Sequence, residues 1–328
     1  MRCISRAKSA ALVCVASISL FTGGCIGGKG ATPVTAYELK NYNQDLYQGK
    51  FYAEELCVAQ NDVALEGYTE DTELHSAALF DLTGERVLYS YKAHERLYPA
   101  STTKIMTALL AIENANLDDQ VTISGNADAS SFSADAQVCG LAKGEVWTLR
   151  DLLGALLLYS GNDAATAIAE YVGGSEEAFV NMMNRRAQEL MANGTHFMNP
   201  HGLHDDNHYT TAYDLYLIFN ECIKHEDFVN IIQSEAYTAH YTDVDGNSQE
   251  ALFTPTNLYA QGEVDVPENV TIVGGKTGTT DEAGYCLILM EKDSSDNPYI
   301  SIVMGASEKP VLYEDMTSLI EAIPSGQQ

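Results

Sequence analysis

The spacing of apolar residues predicts a helix beginning near residue 104. Its apolar side chains recur every three or four residues and so share one helical face: Ile105, Ala108, Leu109 and Ile112. Pro99 lies just upstream, and proline is favoured in the first turn of a helix but not in its interior. The helix is therefore expected to begin close to Ser101.

Strand-like runs predict an antiparallel sheet assembled from two distant parts of the chain. The runs at 78–82 and 86–90 flank Thr83-Gly84, which is typical of a hairpin. Two more apolar runs, at 285–290 and 299–304, follow late in the sequence. We expect an α/β (α+β) fold, in which an antiparallel sheet of about five strands is flanked by helices.

The chain between these parts predicts a helical insertion over about 105–250. Thr148-Leu149-Arg150-Asp151 is a capping box that opens an apolar helix through Leu158. Another helical pattern follows and stops at Gly173-Gly174. Residues 234–272 are acidic and irregular and predict no definite element.

The first residues predict a secretory signal over 1–24. Three basic residues precede an apolar run at 10–21, which is too short to span a membrane permanently. Cys25 follows two glycines and is similar to a bacterial lipidation site, although Thr22 stands where leucine is usual. An ordinary cleavable signal with an incidental cysteine is the alternative.

Charge and cysteine spacing exclude some function classes. The net charge of −28 becomes more negative by three units when residues 1–24 are removed, so nucleic acid is not expected as a partner. The cysteines beyond the leader show no C-x-x-C spacing, which argues against a zinc ribbon. Their pairing stays open: Cys57, Cys139, Cys222 and Cys286.

A serine and a lysine at the start of the predicted helix form the first candidate site. Ser101 and Lys104 are three residues apart, so they are neighbours on one helical face. A hydroxyl beside an amine is what a nucleophile with its own base requires. The alternative is a capping serine beside a solvated lysine.

A second candidate lies where two predicted helices meet. Ser160-Gly161-Asn162 forms a short turn from which Ser160 can project into a cleft. The alternative is a plain helix corner with polar caps, and we interpret the similar triplet at Ser124 in that way.

The third candidate is Lys276-Thr277-Gly278-Thr279, on a segment expected to form a strand that pairs with the runs at 285–290 and 299–304. Lys276 and the hydroxyls of Thr277 and Thr279 can meet a carboxylate. Gly278 lets another backbone lie alongside the strand. A phosphate loop is the competing idea, but the Walker spacing is absent.

Ser-x-x-Lys, Ser-x-Asn and Lys-Thr-Gly in this order are typical of penicillin-binding proteins and class A β-lactamases. Residues 75–325 resemble the low-molecular-mass penicillin-binding proteins, the serine D-alanyl-D-alanine carboxypeptidases. Further likeness lies in five segments: 99–113, 160–165, 199–203, 209–214 and 283–286. The resemblance implies the β-lactamase/transpeptidase-like fold, a peptidoglycan stem peptide ending in D-Ala-D-Ala as substrate, and inhibition by β-lactams.

The resemblance also implies a role for each motif residue. Ser101 would attack the penultimate D-alanine and Lys104 would take its proton. Ser160 would relay a proton to the leaving amine, and Asn162 would orient substrate and lysine. The backbone N–H groups of Ser101 and Thr279 would form the oxyanion hole. The third motif would bind the substrate, whose free carboxylate Lys276, Thr277 and Thr279 would hold, with Gly278 between them.

Two departures from relatives shape the expectation. The class A β-lactamase motif Glu-x-x-Leu-Asn is not found at 189–193, so slow trapping by β-lactams is expected rather than rapid hydrolysis. Only 50 residues follow Gly278, too few for the extra β-rich domain of many relatives. We therefore expect a lipid anchor at Cys25, a linker over 25–70 and a catalytic domain over 71–328, at the outer face of the cytoplasmic membrane or secreted to the cell-wall space.

Other functions remain open at this point. A β-lactamase or DD-endopeptidase would share the fold, and a lipoprotein that binds β-lactams or wall stems without turnover would share the motifs. Several histidines lie near Asp205 and Asp206, which raises a zinc peptidase as a further alternative: His196, His201, His204 and His208. No His-Glu-x-x-His is present, so no metal or cofactor is expected.

Overall fold

The computed structural model describes residues 55–65 and 76–324. The predicted signal and Cys25 lie outside the described residues. The strands are β1 (Ser76–Asp81), β2 (Arg86–Tyr91), β3 (Gln120–Thr122), β4 (Val146–Thr148), β5 (Tyr237–Thr242), β6 (Ser248–Phe253), β7 (Val270–Thr280), β8 (Gly284–Asp293) and β9 (Pro298–Ala306). The helices are α1 (Lys104–Asn114), α2 (Leu149–Gly154), α3 (Asn162–Gly173), α4 (Glu176–Glu189), α5 (Ala212–Cys222), α6 (Glu226–Ile232), α7 (Leu258–Gln261) and α8 (Lys309–Glu321).

A five-stranded antiparallel sheet in the order β2-β1-β9-β8-β7 joins the two ends of the described chain. The predicted sheet, its hairpin and the fold class are confirmed. The segment with Lys276 forms β7, but it pairs with β8 and not with β9, because β9 lies on the other side of β8. Among the strands of 76–324, none pairs with the other edge of β7, and that edge faces the candidate site.

The two faces of this sheet bury different partners. Along β8, Ile288 and Met290 join the larger core with α1 and α5, whereas Leu287 and Leu289 join a second core under α8. This division follows from the alternation of side chains along a strand. The sheet is thus covered by helices on both faces, which fixes β7 against the helical part of the protein.

The predicted helical insertion also contains strands, which corrects the expectation for 105–250. A second sheet has the order β3-β4-β5-β6, and the segment 234–272 forms β5, β6 and α7. β3 and β4 are only three residues long, and β6 is largely exposed. None of these three strands therefore shows an apolar alternation that the sequence could reveal. Trp147 on β4 stacks on Tyr241 at 4.2 Å between ring centroids.

The described part of the chain has free cysteines and no helix suited to span a membrane. Within 55–65 and 76–324, no helix combines the length and the apolar character needed to cross a bilayer. The cysteines in this part of the chain are free thiols: Cys57, Cys139, Cys222 and Cys286.

A buried acid lies on the sheet face beneath α8. Glu291 follows Leu289 on that face and is fully buried. Burial raises the pKa of Glu291 well above its usual value of 4.5, so the folded protein holds the proton to a higher pH than the unfolded chain does.

This burial predicts a pH-dependent effect of Glu291→Gln. The unfolded chain releases the proton at a lower pH than the folded protein, so wild-type stability falls as pH rises from the unfolded pKa towards the folded one. The glutamine variant lacks this loss, and its advantage in unfolding free energy should grow by about 1.4 kcal/mol per pH unit in that window. Denaturant titrations at several pH values measure it, with the exposed Glu314→Gln as control. A difference that does not vary with pH would contradict the prediction.

Candidate active site

Ser101 lies in a tight turn immediately before α1. Residues Ala100–Thr103 form a 3-10 turn after Pro99, and Lys104 is the first residue of α1. The Nζ of Lys104 lies 2.9 Å from the Oγ of Ser101. The predicted proximity of this pair is therefore present in the structure.

The Lys104 amine is fully buried and is held by two carbonyl groups. Its Nζ donates to Asn162 Oδ1 and to the His201 backbone carbonyl, each at 2.7 Å. Burial and the positive charge of Lys276 lower the pKa of Lys104 well below its usual value. Because both carbonyls only accept hydrogen bonds, the amine in its neutral form would use its two N–H groups on them and turn its lone pair towards the Ser101 hydroxyl.

The second motif follows an irregular helical turn. The segment Ala155–Tyr159 is a π-helix, and Ser160 ends it with a left-handed φ of 70°. Gly161 is the N-cap of α3, so the Asn162 side chain is free to meet Lys104. Asp163 accepts hydrogen bonds from backbone N–H groups of the loop that covers this turn: Cys139, Gly140 and Leu141.

The third motif lies on the open edge of β7. Lys276 is 1% exposed, and its Nζ donates to Ser160 Oγ at 2.9 Å. Burial lowers the pKa of Lys276 to about 7. A Cβ on Gly278 would lie 2.9 Å from the Pro99 carbonyl oxygen and 3.0 Å from the Ser101 nitrogen. Only glycine therefore lets β7 approach the turn that carries Ser101.

These motifs line a cleft of about 630 Å³. Its walls carry the predicted site residues Ser101, Ser160, Asn162, Thr277, Gly278 and Thr279. Thr256 also lines the cleft and its hydroxyl lies 2.5 Å from that of Thr277. A hydroxyl beside a buried amine of lowered pKa, a second hydroxyl beside the Lys276 amine and an open strand edge can together attack a carbonyl group and bind a carboxylate.

Sequence patterns did not reveal several residues of this site. The carbonyl of His201 and the hydroxyl of Thr256 act through single contacts that carry no motif. Lys309, at the start of α8, reaches the cleft only because α8 packs against the sheet.

The histidines named as an alternative metal cluster have separate partners. The His208 ring contacts Thr103, and the His201 ring accepts from the Leu203 backbone N–H. His204 lies near Asp206. Across the described ranges, no group of three or more histidine, cysteine or acidic side chains is arranged to hold a metal ion.

Comparisons with known proteins agree with this geometry. The family model Peptidase_S11, described as D-alanyl-D-alanine carboxypeptidase, matches residues 64–308. The chain is 34% identical over 254 residues to D-alanyl-D-alanine carboxypeptidase DacF of Bacillus subtilis, covering 76% of this chain and 61% of the relative. The chain is 31% identical to D-alanyl-D-alanine carboxypeptidase DacC of Escherichia coli, and the match covers 74% of this chain and 59% of the relative. The crystal structure of the Streptomyces K15 DD-transpeptidase matches with a TM-score of 0.71 at 28% identity, covering 78% of this chain and 98% of that one.

The matched structures define the class as that of the β-lactamase/transpeptidase fold. Within that class, the chain belongs to the D-alanyl-D-alanine carboxypeptidase family. The resemblance expected from the motifs is thereby confirmed. The chain spans about three-fifths of the length of the two curated relatives.

The two buried lysines predict coupled titrations. In Lys276→Met, the pKa of Lys104 should rise, because the positive charge that disfavours its protonation has been removed. The side-chain Cε resonances of labelled lysine, followed by NMR against pH, measure the shift. Lys143→Met removes an exposed lysine and should leave Lys104 unchanged. A Lys104 titration that is the same in Lys276→Met and wild type would contradict the coupling.

Proposed function

We propose that the protein is a serine-type D-alanyl-D-alanine carboxypeptidase that removes the terminal D-alanine from peptidoglycan stem peptides. The observation that carries this proposal is the 2.9 Å contact between Ser101 Oγ and the buried Lys104 Nζ. Ser101 and Ser160 line one cleft, and the buried Lys276 donates to Ser160 Oγ behind its wall. Membership of the family supports the choice of substrate.

The first half of the reaction forms an ester on Ser101. Its oxygen attacks the carbonyl carbon of the penultimate D-alanine while Lys104 takes the hydroxyl proton. Ser160 passes a proton to the amine of the terminal D-alanine, whose C–N bond to the substrate breaks. Asn162 keeps the lysine oriented. Water then hydrolyses the ester, which restores the Ser101 hydroxyl and releases the shortened peptide.

Substrate binding falls to the edge of β7. Lys276, Thr277 and Thr279 would hold the free carboxylate of the terminal D-alanine. The backbone N–H groups of Ser101 and Thr279 would stabilise the oxyanion, an effect worth about 3 kcal/mol for one donor. The close approach allowed by Gly278 supports this arrangement, because it brings the strand next to the turn of Ser101.

β-Lactams would acylate Ser101 and be released slowly. A deacylating glutamate of the class A β-lactamase kind is not expected at 189–193, and Glu189 is instead half exposed beside Arg186. This observation favours a peptidase over a β-lactamase.

We further propose how the enzyme is delivered and held. Residues 1–24 would direct export, and lipid on Cys25 would anchor the protein to the outer face of the cytoplasmic membrane. Residues 25–70 would then act as the tether of a catalytic domain over 71–328.

The activity is tested with a synthetic stem peptide ending in D-Ala-D-Ala. Wild type should release D-alanine steadily, and fluorescent penicillin should label Ser101, as located by mass spectrometry of the digested protein. Ser101→Ala should lose both because the nucleophile is removed. Labelling without sustained D-alanine release would instead indicate a non-turnover sensor, and release that survives in Ser101→Ala would contradict the mechanism.

Ser160 has a matched control elsewhere in the chain. Ser160→Ala should lower kcat about 10²-fold, because proton transfer to the leaving amine is lost. Ser124 begins the same Ser-Gly-Asn triplet, but its Oγ accepts from the backbone N–H groups of Asn126 and Ala127. Ser124→Ala should keep the wild-type kcat. Equal kcat values for both variants would contradict the proposed role.

Anchoring by lipid is tested with Cys25→Ser in cells. Wild type should incorporate labelled palmitate and fractionate with membranes, whereas the variant should carry no label and leave the membrane fraction, because its acyl chains are missing. Equal fractionation of the two proteins, without label in either, would leave residues 1–24 as an ordinary cleavable signal.

A further inference from the structure

The residue before Ser101 has an unusual backbone conformation. Ala100 has a φ of 48°, in the left-handed region that residues other than glycine rarely adopt. Such a conformation persists only when the surroundings hold it, and here it sets the direction in which the chain enters the turn of Ser101.

Two groups fix the carbonyl of Ala100. The Thr103 hydroxyl donates to this carbonyl at 2.8 Å. Gly202, with a φ of 88°, packs so close that a Cβ there would lie 1.9 Å from the same oxygen. The carbonyl is therefore held from inside its own turn and from the loop that also supplies His201 to Lys104.

His208 contacts the Thr103 hydroxyl that binds the Ala100 carbonyl. The Met198 backbone N–H donates to His208 Nδ1 at 3.2 Å, so the neutral ring carries its proton on Nε2. Nε2 lies 2.9 Å from the Thr103 Oγ1 and donates to it, which leaves the Thr103 proton for Ala100. Burial lowers the pKa of His208 to about 4, so the ring keeps this neutral form at neutral pH.

We propose that His208 is a positioning residue for Ser101, acting through Thr103 on the carbonyl of Ala100. The inference rests on the proposed function, in which Ser101 is the nucleophile. The three hydrogen bonds run in one direction, and Ala100, Thr103 and His208 are each 2% exposed, so water has little access to replace a lost member between them. Loss of the chain should displace Ser101 without altering the β7 edge that binds the carboxylate. Breaking this hydrogen-bond chain should therefore lower the rate at which Ser101 is acylated and leave the affinity for substrate unchanged.

Two pairs of variants separate positioning from general stability. His208→Asn retains an acceptor near Nδ1 but cannot reach Thr103, whereas the amide of His208→Gln can place a donor near Nε2. Thr103→Val removes the hydroxyl, and Thr103→Ser retains it. The readouts are the rate of Ser101 labelling by fluorescent penicillin, kcat and KM for the stem peptide, and the melting temperature. His196→Asn, which alters a contact to Asn207 in the same loop, is the control.

We expect His208→Asn and Thr103→Val each to slow labelling about 10-fold to 100-fold with KM unchanged, since a small misplacement of a reacting group has effects of this size. His208→Gln, Thr103→Ser and His196→Asn should remain close to wild type. The double variant His208→Asn/Thr103→Val should be no slower than the slower single variant, because both break one chain.

Several outcomes would overturn the proposal. These are wild-type labelling rates in Thr103→Val, equal slowing in His208→Asn and His208→Gln, multiplied effects in the double variant, or slowing in His196→Asn. If His208→Asn does not fold, Thr103→Val against Thr103→Ser decides the matter. A wild-type protein that is not labelled at Ser101 would overturn the proposed function and this inference together, whereas normal labelling in both wild type and variants overturns this inference alone.

Discussion

The site depends on one buried amine. Lys104 is fully buried, and two carbonyl groups that can only accept hydrogen bonds hold its amine, so the lone pair of the neutral form would be directed at Ser101. Three separate parts of the chain supply this environment: the first turn of α1, the turn before α3 and the loop around His201. A lysine in solution would be protonated at neutral pH and unable to act as a base. Burial and the charge of Lys276 lower the pKa of Lys104 and so favour the neutral amine.

The second lysine connects the amine to the sheet. Lys276 lies on the open edge of β7 and touches Ser160, so its charge acts both on Lys104 and on any carboxylate in the cleft. The protein as a whole is strongly acidic, with a net charge of −28. The pocket is therefore a local exception that depends on two buried lysines and on the glycine that lets the strand approach. The helices that cover both faces of the sheet keep the open edge of β7 in place.

Sequence predicted the parts of the site that are encoded by local spacing. Ser101 and Lys104 share a helical turn, and the hairpin after Asp81 follows from Thr83-Gly84, so both are local consequences of the sequence. The second sheet was missed because its strands are short or exposed. The left-handed Ala100 and its link to His208 were not predictable either, since hydrogen bonds between residues about a hundred positions apart leave no periodic signal.

The most direct test of the account is the pH dependence of kcat/KM for a stem peptide ending in D-Ala-D-Ala. This parameter reports the pKa values of the free enzyme. We expect a bell-shaped profile, with a rising limb from Lys104 well below its usual pKa and a falling limb near the pKa of about 7 for Lys276. A profile that continues to rise towards pH 10 would contradict the account, because it would mean that the amine beside Ser101 titrates as an ordinary lysine.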